Sequence, residues 1–240
     1  MHTKYGEVPE DDIAALEYKL NWYLRYGKLP SLERRSGEEA KRDYGVQYER
    51  YIGYMFASHG YSIEYRGLRD GLRDGGIDLV ARAPRKIRLV QCKRWQKPVD
   101  SDVISRLHGA VERFRWEVFG AKLDTCRTDV RGVLMTSGEI LPEARVLAKH
   151  LGLLVQSRVA YQRYPAVKAQ RITADAGRFL LPFTPGYDRM AMRFQNGDRF
   201  FWKVREAVAA NFFYPQYHQE ILRGIRTGRK ENCSGGIFEV

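Results

Sequence analysis

Residues 74–95 carry three polar side chains at positions where two hydrophobic strands are expected. Asp78 interrupts the first apolar run, and Gln91 and Lys93 interrupt the second, two residues apart. Because side chains alternate along a strand, Gln91 and Lys93 point to the same face, and a hairpin pairing can place Asp78 beside them. A carboxylate and an ammonium group on an apolar sheet are unfavourable unless they pair or bind a metal.

Hydrolysis of a phosphodiester bond is a chemistry that uses such a set. Mg²⁺ prefers oxygen ligands, which Asp78, the Gln91 side chain and the backbone carbonyl of Cys92 would supply, and we expect Mn²⁺ to substitute. Lys93 would orient or deprotonate the attacking water and neutralise charge on the phosphate. Because Gln91 is neutral, we expect a further acid, Glu49, to bind the metal, directly or through a water. A plain ion pair between Asp78 and Lys93 is the alternative interpretation of this spacing.

The elements that position these residues are predicted from periodicity and from helix and turn signals. Helices are predicted at residues 44–59, 102–119 and 141–152, and strands at 61–66, 77–83, 86–95, 130–137 and 153–157. The first three strands are close enough in sequence to form an antiparallel meander, and the last two follow helices, as parallel crossovers require. The sequence therefore predicts an α/β fold with a central mixed sheet flanked by helices.

Five short motifs follow one another in a fixed order through this region. They are Tyr48-Glu49 in the first helix, Gly60-Tyr61, DGGIDL at 74–79, VQCKRW at 90–95 and GVLMT at 132–136. Together they resemble the Mrr-type restriction endonuclease domain, a branch of the PD-(D/E)xK nuclease superfamily in which Gln replaces the second acid. The resemblance implies a restriction-endonuclease-like core, a divalent metal and cleavage of DNA. It also places Asp78, Gln91 and Lys93 at the catalytic positions and Glu49 at that of the helical acid.

The chain divides into four segments by composition. Residues 1–43 are predicted to be an N-terminal helical segment, with a helix near 10–26 and a polar linker over 27–42, and residues 44–158 the nuclease domain. Residues 159–223 are predicted to form a small α+β module, basic and rich in aromatic residues, and 224–240 a flexible tail. The aromatic residues of the module are expected either to fill its core or to form a stacking surface for unpaired bases.

The charge of the chain favours a polyanionic partner. Lys and Arg total 41 against 29 Asp and Glu, a formal charge of +12, and neutralised phosphates release condensed counterions. We expect DNA to be the partner, although a basic surface that serves solubility is the alternative. Arg73, Arg88, Arg94 and Lys97 flank the catalytic strands and are predicted to contact phosphates.

Other features of the composition exclude several classes of protein. No apolar run of about 18 residues is present, so no transmembrane helix is expected, and the acidic N-terminus does not look like a secretory signal. The three cysteines, Cys92, Cys126 and Cys233, form no C-x-x-C pair, which argues against a disulfide framework and a cysteine-based zinc site. We therefore expect a cytoplasmic protein without a small-molecule cofactor.

The function predicted from these residues is that of a Mg²⁺-dependent DNA endonuclease in restriction, or in defence against foreign DNA that includes modified DNA. A structure-selective repair or junction nuclease is the first alternative, and a non-cleaving nucleic-acid-binding protein is the second. Because a double-strand cut normally needs two active sites, we expect a homodimer or pairing induced by DNA. The sequence leaves open which DNA is cut, and it does not exclude RNA.

Overall fold

A five-stranded mixed sheet lies at the centre of the computed structural model, which describes residues 9–30, 37–70, 76–95, 97–120 and 127–215. Its strands are β1 (Ser62–Tyr65), β2 (Leu79–Ala83), β3 (Lys86–Lys93), β4 (Asp129–Thr136) and β5 (Leu154–Gln156), adjacent in that order. β1, β2 and β3 pair antiparallel, whereas β3, β4 and β5 pair parallel. The predicted meander and parallel crossovers are confirmed.

Helices cover both faces of the sheet. α1 (Glu10–Tyr26) and α2 (Gly37–Ser58) lie on one face, and α4 (Ser101–Phe119) and α5 (Pro142–His150) on the other. The alternation of β3 explains this layering, because Val90 packs in the core with α2 whereas Leu89 packs in the core with α4. A short helix that the sequence did not predict, α3 (Gly67–Asp70), follows β1. The predicted α/β fold, a central mixed sheet flanked by helices, is confirmed.

The N-terminal helix is confirmed, but the predicted linker is shorter than expected. Helix α2 begins at Gly37, so residues 37–42 are helical, while residues 31–36 lie outside the described residues. The side-chain amide of Gln47 donates to the backbone carbonyls of Tyr23 and Leu24, each at 2.9 Å. These bonds satisfy carbonyls that the end of α1 leaves without helical partners, and they fix α1 against α2.

The C-terminal module contains four strands and a helix, as its α+β prediction required. The strands are β6 (Val167–Arg171), β7 (Gly177–Leu180), β8 (Arg199–Phe201) and β9 (Phe212–Phe213), in the order β8-β6-β7-β9, and the helix is α6 (Val204–Ala209). Tyr164 and Phe179 of the module share one hydrophobic core with Tyr48 and Ile52 of α2. The module therefore packs directly on the helix that carries Glu49.

The predicted tail, residues 224–240, lies outside the part of the chain that the structure describes. No helix among the described residues is both long and apolar enough to cross a membrane.

Candidate active site

Asp78 is held by backbone contacts from β3 and from the two residues that follow β1. Its N–H donates to the carbonyl of Val90 at 2.9 Å, and its carbonyl accepts from the N–H groups of Arg66 and Gly67 at 2.8 and 3.1 Å. Its Oδ2 accepts a hydrogen bond of 2.6 Å from the N–H of Cys92. The carboxylate is therefore fixed beside the end of β3, with Oδ1 directed towards Gly67.

Glu49 reaches the same place from α2. A Cβ atom at Gly67 would lie 3.2 Å from Oδ1 of Asp78 and 3.2 Å from Oε2 of Glu49. The two oxygens are therefore at most twice that distance apart, and the missing side chain of Gly67 leaves the space beside them open. We call this gap the carboxylate cleft. Two like charges so close together are stabilised by a cation between them.

Gln91 has a buried oxygen that no described residue satisfies. The side chain is 7% exposed, and its Oε1 accepts no hydrogen bond from any residue that the structure describes. A buried carbonyl oxygen without a donor is unfavourable by roughly 1–3 kcal/mol. Because amide oxygens are good ligands for hard divalent cations, this atom fits the metal ligand predicted from the sequence.

The backbone carbonyl of Cys92 also points towards the cleft. In an extended strand, the N–H and C=O of one residue point to the same edge, and the N–H of Cys92 points to Asp78. The next carbonyl, that of Lys93, points the other way and accepts from the N–H of Ser137 at 3.0 Å. Asp78 and Glu49 therefore meet beside Gly67, Cys92 lies against Asp78, and Gln91 precedes Cys92 on β3.

The donor set contains oxygens only. Within the described ranges, no cluster of three or more His, Cys, Asp or Glu side chains could hold a metal. Two carboxylates with neutral amide and backbone oxygens suit Mg²⁺ or Mn²⁺ better than Zn²⁺, which prefers nitrogen and sulfur. The residues present fit the predicted ion.

Lys93 is half-buried at the same end of β3. Its Nζ lies 4.9 Å from the ring centroid of Trp95, a cation–π contact that restrains the long side chain. Burial raises the pKa of the Cys92 thiol, and the charges of Asp78 and Glu49 raise it further, whereas Lys93 lowers it. All three charged groups therefore lie close to one sulfur atom, and that thiol stays protonated at neutral pH.

Arg88 does not join this group. It lies five residues before Lys93 on the same strand, and its guanidinium contacts Asp129 at 2.8 Å and the Asp129 carbonyl at 3.0 Å. Its predicted contact with DNA is therefore not supported by its position. Arg73, also predicted to contact DNA, lies outside the described residues.

Arg94 and Lys97 lie next to the catalytic strand. The Arg94 guanidinium donates to Oε1 of Gln47 at 3.0 Å and to the Tyr44 carbonyl at 3.3 Å, and it lies 4.7 Å from the Tyr44 ring. It therefore links the end of β3 to α2, a structural contact that the sequence did not predict. Lys97 is exposed two residues beyond Trp95, where its predicted contact with a phosphate is sterically open.

Sequence reasoning missed the residues that anchor α2 around Glu49. The Arg50 guanidinium forms two hydrogen bonds with the carboxylate of Asp188, at 2.8 and 2.6 Å, and donates to the Tyr23 hydroxyl at 2.7 Å. On the other side, the Tyr48 hydroxyl donates to the carbonyl of Val159 at 2.9 Å. These partners are distant in sequence, so no local pattern signals them.

The aromatic residues of the C-terminal module are mostly internal. Phe212 and Tyr214 are buried, whereas Phe200, Phe201 and Phe213 are half-buried. Trp202 is the exposed member of this set, at 54%. Most of these aromatic residues therefore belong to the core, which was the first of the two expectations. A stacking surface formed by the module alone is not supported.

Comparison with known proteins gives one family. Residues 44–159 match the family model Mrr_cat, described as a restriction endonuclease. The match covers slightly under half of the chain and includes Glu49, Asp78, Gln91 and Lys93. No curated protein matches this chain.

Several solved structures are similar to this chain at low identity. A repair endonuclease from Pyrococcus abyssi is 17% identical, with a TM-score of 0.35, and the match covers 53% of this chain and 49% of that one. An EndoMS complex with double-stranded DNA is 19% identical, with a TM-score of 0.37 and coverage of 57% and 51%. The MspJI restriction endonuclease in complex with a 27-mer oligonucleotide is 16% identical, with a TM-score of 0.34 and coverage of 65% and 32%. This chain spans about half the length of the first two.

Proposed function

We propose that the protein is a divalent-metal-dependent DNA endonuclease, because residues 44–159 match the family model Mrr_cat of a restriction endonuclease. The observation that carries the proposal is the buried Oε1 of Gln91, which accepts no hydrogen bond from the described residues. It lies one residue from Cys92, whose N–H holds Asp78. A cation is the partner that such an oxygen lacks.

The proposed ion is Mg²⁺, with Mn²⁺ as a substitute. Asp78 would hold it through its carboxylate, Gln91 through Oε1 and Cys92 through its backbone carbonyl, while Glu49 would bind it directly or through a water. When bound, the ion supplies a Lewis acid that polarises the phosphate and makes water a better nucleophile near neutral pH.

The residues of the chain bind and orient the reactants. The ammonium group of Lys93 donates to the scissile phosphate, orients the attacking water and stabilises the negative charge that develops on the phosphorus-bound oxygens. Trp95 restrains that ammonium group from one side. Arg50 and Tyr48 hold α2 in place, so that Glu49 keeps its position as charge develops.

We propose that this activity serves restriction, or defence against foreign DNA that includes modified DNA, in the cytoplasm. A homodimer, or pairing on DNA, would bring two active sites to the two strands. A structure-selective repair or junction nuclease is the second candidate. An exposed aromatic surface on α1, described below, favours that candidate because paired DNA hides the faces of its bases.

Incubation with supercoiled plasmid and Mg²⁺ or Mn²⁺ tests the proposal, extended to a panel of unmodified, methylated, branched and single-stranded DNA. We expect cleavage by the wild type, and loss of cleavage with DNA binding retained for Asp78→Asn. Lys149→Ala, at an exposed position in α5, is a charge-changing control that should cut normally. Intact DNA with both metals, alongside a positive gel shift, would instead identify a non-cleaving nucleic-acid-binding protein.

A further inference from the structure

Helix α1 carries a row of three aromatic rings, of which the first is exposed and the other two are half-buried. Tyr18, Trp22 and Tyr26 follow at intervals of four residues, which places them on one side of the helix. Their ring centroids are 6.0 Å apart for the first pair and 4.7 Å for the second. The opposite side of α1 already packs in the core through Leu20 and Leu24. These rings are therefore not the buried side of the helix, and Tyr18 is 57% exposed.

Cationic side chains accompany the row. The Arg25 guanidinium lies 5.3 Å from the ring centroid of Tyr26, and Arg163 donates to Oδ1 of Asn21 at 2.6 Å. A guanidinium group on an aromatic ring leaves N–H donors free to contact phosphate. Arg163 comes from the chain just after the nuclease domain, so two distant segments supply charge to the same surface.

Two adjoining clefts give this surface its shape. One, of about 300 Å³, is lined by the three rings, Arg25 and Arg163. The other, of about 240 Å³, shares Asn21 and Arg163 with it and extends to Trp202 and Lys203 of the C-terminal module. We call the surface formed by Tyr18, Trp22, Arg25, Tyr26, Arg163 and Trp202 the α1 face.

Two acidic residues near the α1 face share one cation, which offsets part of their charge. Glu17 lines the second cleft, and the Arg205 guanidinium contacts its carboxylate at 3.2 Å and that of Glu10 at 3.4 Å. The α1 face itself contributes two arginines and no acid. Its charge is complementary to phosphate, in keeping with the formal charge of +12 on the whole chain.

The α1 face is connected to the active site through a short series of contacts. Gly27, next to Tyr26, lies against Tyr44, because a Cβ atom at this glycine would be 3.5 Å from that ring. Tyr44 in turn contacts the Arg94 guanidinium at 4.7 Å, and Arg94 directly follows Lys93. This end of β3 and the end of α1 therefore both contact Tyr44.

We propose that the α1 face binds unpaired nucleotides of a DNA strand. The bases stack on Tyr18, Trp22 and Trp202, and the phosphates contact Arg25 and Arg163. That the ligand is DNA rests on the proposed endonuclease function. The preferred substrate would then carry an unpaired strand beside the duplex.

Fluorescence anisotropy with a labelled oligothymidylate, in the presence of a chelator that prevents cleavage, tests the proposal. We expect Tyr18→Ala and Trp202→Ala each to weaken binding at least about fivefold, the lower end of what one stacked base contributes. Both side chains are more than half exposed, so the core is unchanged, and thermal melting checks this. Trp116→Ala is the matched control, because Trp116 is 68% exposed on α4 and should bind like the wild type.

An abasic strand of the same length separates stacking from charge. The wild type should bind it as weakly as the alanine variants bind oligothymidylate. Equal binding of both strands by the wild type would show that the inference is wrong. Binding of oligothymidylate by the variants as tightly as by the wild type would also refute it, and is the result expected if the α1 face serves a protein partner.

The same variants distinguish this inference from the proposed function. Their cleavage of plasmid duplex with Mg²⁺ should match the wild type. A protein that binds oligothymidylate as predicted but cuts no DNA would refute the proposed function alone. A protein that cuts DNA while Tyr18→Ala and Trp202→Ala change nothing would refute the α1 face alone.

Discussion

The substitution Gly67→Ala places one methyl group in the carboxylate cleft. Gly67 opens helix α3 with a negative φ, which alanine also adopts, so the backbone does not require glycine there. The new Cβ would lie 3.2 Å from an oxygen of Asp78, 3.2 Å from an oxygen of Glu49 and 3.4 Å from the Asp78 Cα. Contacts at 3.2 Å are tighter than almost all those of real Cβ atoms, so the carboxylates must move by a few tenths of an ångström.

The expected loss follows from this displacement. Misplacing a reacting or ligating group by about 1 Å costs on the order of 100-fold in rate, so a shift of a few tenths of an ångström should lower the cleavage rate by roughly 4- to 10-fold. The methyl group also occupies space that a hydrated ion needs, and the Mg²⁺ concentration for half-maximal activity should rise. Folding stability should change by less than about 1 kcal/mol, because alanine restricts the unfolded chain by an amount that offsets part of the crowding.

Single-turnover nicking of supercoiled plasmid across a Mg²⁺ titration measures both effects. Gly45→Ala is the matched control, because Gly45 lies in α2, near Glu49, and a Cβ atom there would meet nothing within 4 Å. That control should retain the wild-type rate. A Gly67→Ala protein with the wild-type rate and metal requirement would show that the space between Asp78 and Glu49 is not where the ion binds.

Three further substitutions test separate parts of the account. In a chelator, Gln91→Glu should be less stable than the wild type, since it buries a charge beside Asp78. Mg²⁺ should raise the melting temperature of this variant more than that of the wild type, and equal rises in melting temperature would argue against a metal ligand at this position. Asp188→Asn should lower the free energy of unfolding by about 2–4 kcal/mol, because it leaves the Arg50 guanidinium poorly paired, and an unchanged urea midpoint would contradict this. Burial lowers the pKa of Lys168 to about 7 from its ordinary 10.5, so between these pH values the unfolded chain binds more protons than the folded one. The free energy of unfolding should therefore rise with pH from about 7 to 10, with a contribution of up to about 1.4 kcal/mol per unit, and Lys168→Met should remove that slope in urea titrations at pH 7 and 9.

The nuclease sheet was predictable because its signals are local. Alternation in residues 77–83 and 86–95 identifies two paired strands, and the short connections between the first three strands leave little choice but antiparallel neighbours. The same alternation places Gln91 and Lys93 together. The close approach of Asp78 follows from the hairpin register, in which Leu79 pairs with Val90.

The surroundings of the site were not predictable, since they depend on contacts between distant segments. In the sequence, Arg50 looks like one more surface charge on a helix. Its hydrogen-bonding partner, Asp188, becomes evident only when the C-terminal module packs against α2. Arg88 is the opposite case. A basic residue beside a catalytic strand suggested a phosphate contact, but the Arg88 guanidinium forms an ion pair with Asp129 on the neighbouring strand. Sequence position alone does not distinguish these two outcomes.

The most direct test of the central claim is the single-turnover rate of DNA cleavage by Lys93→Ala with saturating Mg²⁺. In the proposed mechanism the Lys93 ammonium group contacts the scissile phosphate, and a side chain that acts in proton transfer or charge stabilisation contributes roughly 10²–10⁴-fold. We predict a loss of that size, with DNA binding retained in a gel shift. Cleavage at the wild-type rate would contradict the mechanism.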